Sequence, residues 1–179
     1  VLEGAKVLTD NLAPYADRTL NLNTRDNVDM VDALKGLFNA QDRLSSNYKQ
    51  GRLAGPFAGF SDIYENTLWP AHTVGTKAGT PLVNGASQTG SSLVTDGWTA
   101  SSAILKRGDI ITIEGVYRVH PETKQSTGVL QQFVVTEDVT ADVSGNATVK
   151  ISPSIVTTGA FKNVSGSPAD NAQITVAGT

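Results

Sequence analysis

The sequence predicts an α+β protein, with helices and short strands in its first part and an all-β second part. The first 70 of its 179 residues hold 7 Lys and Arg and 9 Asp and Glu, whereas the other 109 hold 7 and 8. The second part is rich instead in Thr, Ser, Val and Gly, which is the composition of strands and turns. This shift places a boundary near Pro70 and predicts domains over residues 1–69 and 70–179.

The first part begins with a predicted helix and a predicted strand. Apolar residues between Val1 and Leu12 lie close to one helical stripe. Pro14 ends this helix, because proline disfavours helical geometry in the residue before it. From Arg18 to Asn23 leucine and asparagine alternate, which predicts a short, half-buried strand.

A second helix is predicted to begin at Thr24, its N-cap, and to run to about Phe38. Apolar residues recur through this stretch at spacings of three and four. Residues Gln41–Gln50 fit a further, polar helix. Residues Gly55–Trp69 fit a turn followed by an extended segment.

Apolar and polar residues alternate repeatedly in the second part, which predicts several short strands. Ile110–Val119 is one of them, with a bulge or bend expected at Gly115. Its predicted buried face holds Ile111, Ile113, Tyr117 and Val119. Further strands are predicted over 129–139, 147–152 and 172–176, with a hairpin turn at Ser144–Asn146. Strands at such intervals predict a small barrel or sandwich.

One polar stretch, Gly75–Asp96, has no clear period and is predicted as a loop. Loops of that length usually carry a function or move, and do not form part of the core.

Composition excludes several classes of protein. The net charge is −3 and charged residues make up 17%, so a general polyanion-binding surface is not expected. The sequence has no cysteine, which excludes a disulfide framework, a thiolate nucleophile and a cysteine-based zinc site. No apolar run approaches the roughly 18 residues of a membrane span.

The residues that could carry catalysis form no constellation. His72 and His120 both lie beside proline-marked sequence and are interpreted as structural or surface histidines. Gly85–Ser92 resembles part of a phosphate-binding loop but lacks its lysine. Asp142–Asn146 is similar to part of a calcium loop, but it fits a plain turn better. Arg107–Asp109 is an Arg-Gly-Asp tripeptide, interpreted as a tight turn into a strand. We therefore expect no enzyme, metal or cofactor.

The order of several motifs resembles the coat proteins of tailed phages, in particular the P22-like family. Ile104–Tyr117 followed by Gln131–Val135 resembles that family's insertion domain, with a Lys-x-Gly-Asp turn, a strand ending in apolar-x-Gly-Val and a later strand. Thr80–Leu93 and Gly166–Ala172 resemble prophage members. Val31–Asn39 resembles a helix of the capsid's axial domain.

The resemblance implies a major capsid protein with the fold common to tailed-phage capsids. Residues 1–12 would end a peripheral-domain helix, 14–69 would form part of the axial domain, and 70–179 would form the β-barrel insertion domain. In the family this barrel supports subunit folding and contacts within capsomers, and one loop reaches a neighbour across a local two-fold axis. We expect Lys77–Asp96 to be that loop. Its predicted contact residues are Lys77, Asn84, Gln88, Asp96 and Trp98.

The resemblance also implies partners and a location. The partners would be copies of the chain itself in capsomers, with a scaffolding protein and a portal during assembly. The chain would lie in the virion capsid after assembly in the bacterial cytoplasm, with no membrane and no sequence-specific nucleic acid as partner. We expect the family's arm, spine helix and extended hairpin before Val1, and its return to the axial domain after Thr179.

A second hypothesis remains open from the residues alone. The chain could be a carbohydrate- or ligand-binding β module on a helical stalk, with Trp98 stacking on a sugar ring. Such sites usually hold several aromatic side chains, whereas aromatics make up 6% of this chain. In the capsid interpretation, Trp98 and Trp69 are instead candidates for apolar contact between subunits.

Overall fold

The computed structural model describes residues 1–34 and 58–178. The chain divides into two compact units, Val1–Ala71 and His72–Thr179. The described residues hold two helices and ten strands, so most of the ordered structure is β. The predicted helix Gln41–Gln50 and the last part of the predicted helix before Phe38 lie outside the described residues.

The first unit contains both helices and two strands. In chain order they are α1 (Leu2–Asp10), β1 (Thr19–Leu22), α2 (Thr24–Leu34) and β2 (Asp62–Glu65). β1 and β2 pair in parallel. The prediction of a first helix followed by a short strand is confirmed.

Arg18 joins the end of α1 to the start of β1. Its guanidinium donates to Thr9 Oγ1 at 2.9 Å and to the Ala13 carbonyl at 2.7 Å, and its Nε donates to the Pro14 carbonyl at 2.8 Å. These bonds let the charged side chain lie buried, because each polar group that leaves water gains a partner.

The second helix begins at Thr24, and its N-cap is the residue before the predicted one. Asn23 Oδ1 accepts a hydrogen bond from the Arg25 N–H at 3.2 Å, and the Asn23 carbonyl accepts the first helical bond, from Asn27, at 3.0 Å. Thr24 is the first helical residue, so the prediction of Thr24 as N-cap is wrong. Asn23 is the cap because its short amide reaches the N–H two residues on.

The second unit is a nearly closed antiparallel barrel. Its strands are β3 (Gly79–Val83), β4 (Gly90–Trp98), β5 (Ala103–Leu105), β6 (Ile110–Val119), β7 (Ser126–Val135), β8 (Val139–Thr140), β9 (Ala147–Ile155) and β10 (Ile174–Val176). Six of them form one sheet in the order β10-β6-β7-β9-β4-β3, and β5 pairs with β8.

Backbone hydrogen bonds close the gap between the two outer strands of this sheet, β3 and β10. The Val83 N–H donates to the Ala172 carbonyl at 3.0 Å, and the Asn171 N–H donates to the Val83 carbonyl at 2.9 Å. A bridge between Leu82 and Gln173 continues the pairing. These bonds satisfy backbone groups that an open sheet would leave at its edges.

The hydrophobic core of this unit lies inside the barrel. Its largest fully buried side chains include Phe133, Leu93, Ile104, Ile111, Ile113 and Val149. Each such side chain contributes about 1.5–3 kcal/mol when it is removed from water. The predicted alternation over residues 147–151 and 172–176 is confirmed, because the alternate apolar residues of both strands are buried.

The bulge predicted at Gly115 is confirmed, but its effect on the strand was mispredicted. Gly115 has φ +75°, and the pairing of β6 with β7 shifts between Thr112 and Tyr117. A bulge adds one residue and moves the alternation by one. Val116 therefore points into the core, and Tyr117 is 38% exposed and does not occupy the predicted buried position.

The polar stretch Gly75–Asp96 is not one long loop, so that prediction is wrong. It contains all of β3 and most of β4, joined by a short turn. Its alternation was hidden because a polar residue, Thr95, takes an inward position and donates to the Ala147 carbonyl at 2.9 Å. Pairing with β9 supplies the strand signal that local apolar periodicity lacks.

The predicted strand over 129–139 divides in two. β7 ends at Val135, and the separate strand β8 begins at Val139 and pairs with β5.

None of the helices in the described ranges is long and apolar enough to cross a bilayer.

Candidate functional site

The turn between β3 and β4 holds two of the predicted contact residues. Gln88 Nε2 donates to the carbonyls of Asn84, Gly85 and Val94 at 2.8, 3.0 and 3.0 Å. Its Oε1 accepts from the Val94 N–H at 2.7 Å. The amide of Gln88 is therefore used inside its own hairpin, and it shapes the turn.

The tip of this hairpin is bound to another segment of the same unit. The Gly85 N–H donates to Asp170 Oδ1 at 2.8 Å, and the Ser87 N–H donates to the Pro168 carbonyl at 3.0 Å. The turn consequently folds against its own barrel and is not an extended arm. Asn84 remains exposed at its start.

The remaining predicted contact residues lie apart from that turn. Lys77 Nζ donates to the Val176 carbonyl at 3.3 Å, near the end of the barrel's last strand. Asp96 lies within β4, opposite Leu82, and is partly buried. Trp98 is buried, with 5% of its surface exposed. The five predicted residues therefore do not form one continuous exposed surface.

A second cluster, which sequence reasoning missed, surrounds Asp109 at the start of β6. Asp109 is 1% exposed and accepts hydrogen bonds from three sides. Its Oδ1 lies 2.7 Å from His72 Nε2, and its Oδ2 accepts from the N–H groups of Lys106 and Gly75 at 2.8 and 3.1 Å. The carboxylate thus joins the first residues of the barrel to the turn before β6.

These bonds decide the protonation of Asp109. Burial raises the pKa of this carboxyl, but hydrogen bonds from Lys106 N–H, His72 and Gly75 N–H outweigh it and hold the pKa below its ordinary value of 3.8. The group is therefore a carboxylate at neutral pH, and its negative charge strengthens the bonds it accepts.

The local sequence explains how the cluster forms. The Asp109 N–H donates to the Lys106 carbonyl at 3.0 Å, and Gly108 takes a φ of +100°, so Lys106–Asp109 is a tight turn. A Cβ on Gly75 would lie 2.6 Å from the Ile104 carbonyl oxygen, so glycine alone fits there. The interpretation of the Arg-Gly-Asp tripeptide as a tight turn is confirmed, and its carboxylate is hidden from any receptor.

Comparison with protein families places the chain in a known class. The structure holds the Lys-x-Gly-Asp turn, then the bulged strand β6 and then strand β7, which is the order of the motifs that resemble the P22-like insertion domain. The family model described as "P22 coat protein - gene protein 5" matches residues 6–179. The chain belongs to the P22 coat protein family. Its role is therefore structural: coat proteins of this family associate with copies of themselves into the capsid of a phage virion.

Two further comparisons accompany this match. No curated protein matches the chain. A solved structure described as "CUS-3 coat protein I-domain" is 25% identical, with a TM-score of 0.41; the match covers 59% of this chain and all of that one.

In this coat protein Trp98 cannot present its ring to a ligand. The side chain is buried in the barrel core, and its Nε1 donates to Thr95 Oγ1 at 2.8 Å. The carbohydrate-binding alternative required an exposed Trp98 and is not favoured. Trp98 is also excluded as an exposed subunit contact, whereas Trp69 is 49% exposed.

The most exposed apolar side chains of the coat protein's barrel were not among the predicted contacts. Phe161 is 86% exposed, and Val143 is 84% exposed. Val143 is a single large apolar residue within the polar connection between β8 and β9, and this isolation was the available sequence signal. Phe161 lies in a longer connection that also holds Val156 and Val164, so the sequence did not single it out.

Proposed function

We propose that residues 72–178 form an insertion domain of the coat subunit, which supports folding of the subunit and its contacts within capsomers. The first and last residues of the barrel lie close together, and this closeness carries the proposal. Lys77 Nζ donates to the Val176 carbonyl at 3.3 Å, and a Cβ on Gly178 would lie 3.1 Å from a methyl of Val74. A domain whose ends meet can be inserted into another domain without separating the flanking chain.

The barrel has the independent core that this role requires. Twenty of its buried side chains form one hydrophobic cluster. Backbone bonds such as that from Val83 to Ala172, at 3.0 Å, hold the outer strands together. A unit that buries its own apolar surface can form early and act as a support on which the rest of the subunit folds.

We assign the rest of the chain by the same family relationship. Residues 1–12 would end a peripheral-domain helix, and residues 14–69 would form part of the axial domain. On α1, the apolar side chains Leu2, Val7 and Leu8 are exposed, as expected of a helix that packs on further protein. We further propose Asn84 and Gln88, on the turn between β3 and β4, and Lys77 and Asp96, apart from that turn, as contacts with neighbouring subunits.

Assembly would take place in the bacterial cytoplasm with a scaffolding protein and a portal. The test is to produce the coat polypeptide that carries these residues together with its scaffolding protein. We expect uniform shells by electron microscopy, and monomers alone would contradict the capsid role.

A deletion tests the insertion-domain role separately. Because the ends meet, residues 72–178 can be replaced by a short Gly-Ser linker. We expect this shortened subunit to aggregate or to form few shells. A normal yield of shells would show that the barrel is not needed for folding or contacts.

A further inference from the structure

Two side chains at opposite ends of the barrel share an unusual exposure. Phe161 and Val143 are 86% and 84% exposed, above every other large apolar side chain in the described part of the second unit. Burying either one would remove apolar surface from water, a gain that the isolated subunit does not make. A single exposed apolar side chain is ordinary on a protein surface. It favours a contact here because an ordered loop holds it beside charged groups.

The loop that carries Phe161 is held at its base. Asn163 Oδ1 accepts from the Val156 N–H at 3.0 Å, and its Nδ2 donates to the Ser154 carbonyl at 2.7 Å. Lys124 Nζ donates to the Lys162 carbonyl at 3.4 Å. The phenyl ring therefore projects from an ordered loop, which lowers the entropy lost when it docks.

The turn that carries Val143 is held in a similar way. Asp142 Oδ1 accepts from the N–H groups of Ser144 and Asn146, both at 2.8 Å, and the Gly145 N–H donates to the Asp142 carbonyl at 3.1 Å. The hydrogen bonds from Asn146 and Ser144 also lower the pKa of Asp142. Val143 is thus presented beside a fixed negative charge.

Strand direction places these two sites at opposite ends of the barrel, with opposite charges. β9 runs from Ala147, just after the Val143 turn, to Ile155, just before the Phe161 loop. Its eight steps span about 27 Å at roughly 3.4 Å each. Lys162 and Lys124 lie beside Phe161, with the exposed Glu122 on the same turn as Lys124. Asp142 adjoins Val143, and the exposed Glu137 and Asp138 lie on the preceding turn, where Lys106 and Arg107 are also exposed and the Arg107 N–H donates to Asp138. Lysines are therefore in excess at the Phe161 end, and carboxylates are in excess at the Val143 end.

We propose that these ends are the two halves of a contact between neighbouring copies of this chain. The Phe161 loop of one copy packs on the Val143 turn of the next, and the lysines of the first face the carboxylates of the second. The occupant is a second copy because one chain carries both complementary surfaces and belongs to a family that self-associates. The contact is heterologous, the type that closes into rings such as capsomers.

This inference rests on the capsid role. A cross-linking experiment can test the proposed contact and the capsid role separately. These 179 residues contain no cysteine, so Phe161→Cys and Val143→Cys each introduce a defined thiol. Coat polypeptides with one substitution each are mixed, assembled into shells and treated with a short bismaleimide. We expect cross-linked dimers from the mixture and none from either variant assembled alone.

The outcomes separate the contact from the capsid role. Shells whose mixture gives no dimer would overturn the contact and leave the capsid role standing. Dimers from the Phe161→Cys variant alone would also overturn it, because they would place two Phe161 loops face to face. Failure of the unsubstituted polypeptide to form shells would overturn both.

A second measurement uses the concentration needed for assembly. We expect Phe161→Ser to raise it about tenfold, which corresponds to about 1.4 kcal/mol per contact. Val134→Ser is the matched control, because Val134 is 41% exposed and pairs with Ser152 in the middle of β9, between the two sites. Circular dichroism should show the native signal for both variants. Assembly of Phe161→Ser at the wild-type concentration would contradict the contact.

Discussion

His72 Nε2 lies 2.7 Å from Asp109 Oδ1 and joins the first residue of the barrel unit to the turn that starts β6. The Gly75 N–H donates to the same carboxylate at 3.1 Å. One buried side chain thereby holds the segment that leads into the barrel against its central sheet. In the insertion-domain role proposed above, this segment would be where the chain enters the barrel.

Replacing this carboxylate should destabilise the barrel. In Asp109→Asn, one oxygen becomes a donor that faces the N–H groups of Lys106 and Gly75 or the ring of His72. We expect a loss of about 2 kcal/mol, because bonds to buried charged groups are worth about 1.5–3 kcal/mol. Urea unfolding measures it. Asp138→Asn is the control: Asp138 is exposed and accepts one bond, from the Arg107 N–H, so its loss should stay below about 1 kcal/mol. Equal losses would show that Asp109 has no special role.

The same carboxylate predicts a dependence of stability on pH. Burial raises the pKa of Asp109, but hydrogen bonds from Lys106, His72 and Gly75 bring it below 3.8. A carboxyl whose pKa is lower in the folded state stabilises the fold above its unfolded pKa, and this contribution disappears as the pH falls through the folded value. We therefore expect the urea concentration at half-unfolding to decrease when the pH is lowered below about 4. The fall should be smaller in Asp109→Asn, with a remainder from Asp142, whose pKa is lowered in the same direction. An unchanged fall would contradict this assignment.

Two glycines with similar backbone angles should respond differently to a methyl group. Gly145 and Gly128 have φ of +80° and +73°. A Cβ on Gly145 would lie 2.4 Å from the Trp98 carbonyl oxygen, whereas a Cβ on Gly128 would meet open space. We expect Gly128→Ala to cost about 1 kcal/mol for the left-handed backbone. Gly145→Ala should cost about 2 kcal/mol more for the clash. Thermal unfolding compares them, and equal costs would contradict the close approach.

Trp98 should contribute to stability and not to ligand binding. Its ring is buried, and its Nε1 donates to Thr95 Oγ1 at 2.8 Å. We expect Trp98→Ala to lower the free energy of unfolding by about 3–5 kcal/mol. Trp98→Phe, which keeps most of the apolar volume, should lose less. If a glycan array detected binding that Trp98→Phe abolished while the variant stayed folded, the carbohydrate-binding hypothesis would return.

The barrel should fold without the first unit. It contains its own hydrophobic cluster, and bonds between Val83 and Ala172 close its outer strands. We expect residues 70–179, produced alone, to give a dispersed amide spectrum by NMR. A spectrum with the narrow dispersion of an unfolded chain would contradict the predicted boundary near Pro70.

The sequence alone predicted those features whose cause is local. β6, β9 and β10 were recognised because alternate residues, such as Val149 and Ile151 in β9, are apolar and face the core. The bulge was recognised at Gly115, where the pattern is interrupted. The Lys106–Asp109 turn was recognised because it directly precedes a β-rich run, and Gly108 permits the positive φ that the structure shows. Each of these preferences is set by a residue and its immediate neighbours.

The tertiary structure decided the features that depend on distant partners. The pairing of β4 with β9 made strands of a stretch that resembled a loop. The tertiary structure also decided that Trp98 is buried, where the sequence left both packing inside the subunit and exposure open. The strand partners of β6 set the face on which Tyr117 lies. His72 and Asp109 meet across 37 residues of chain because the barrel closes between them. A carboxylate's burial, its pKa and its partners are properties of that three-dimensional environment, and short-range sequence patterns do not encode them.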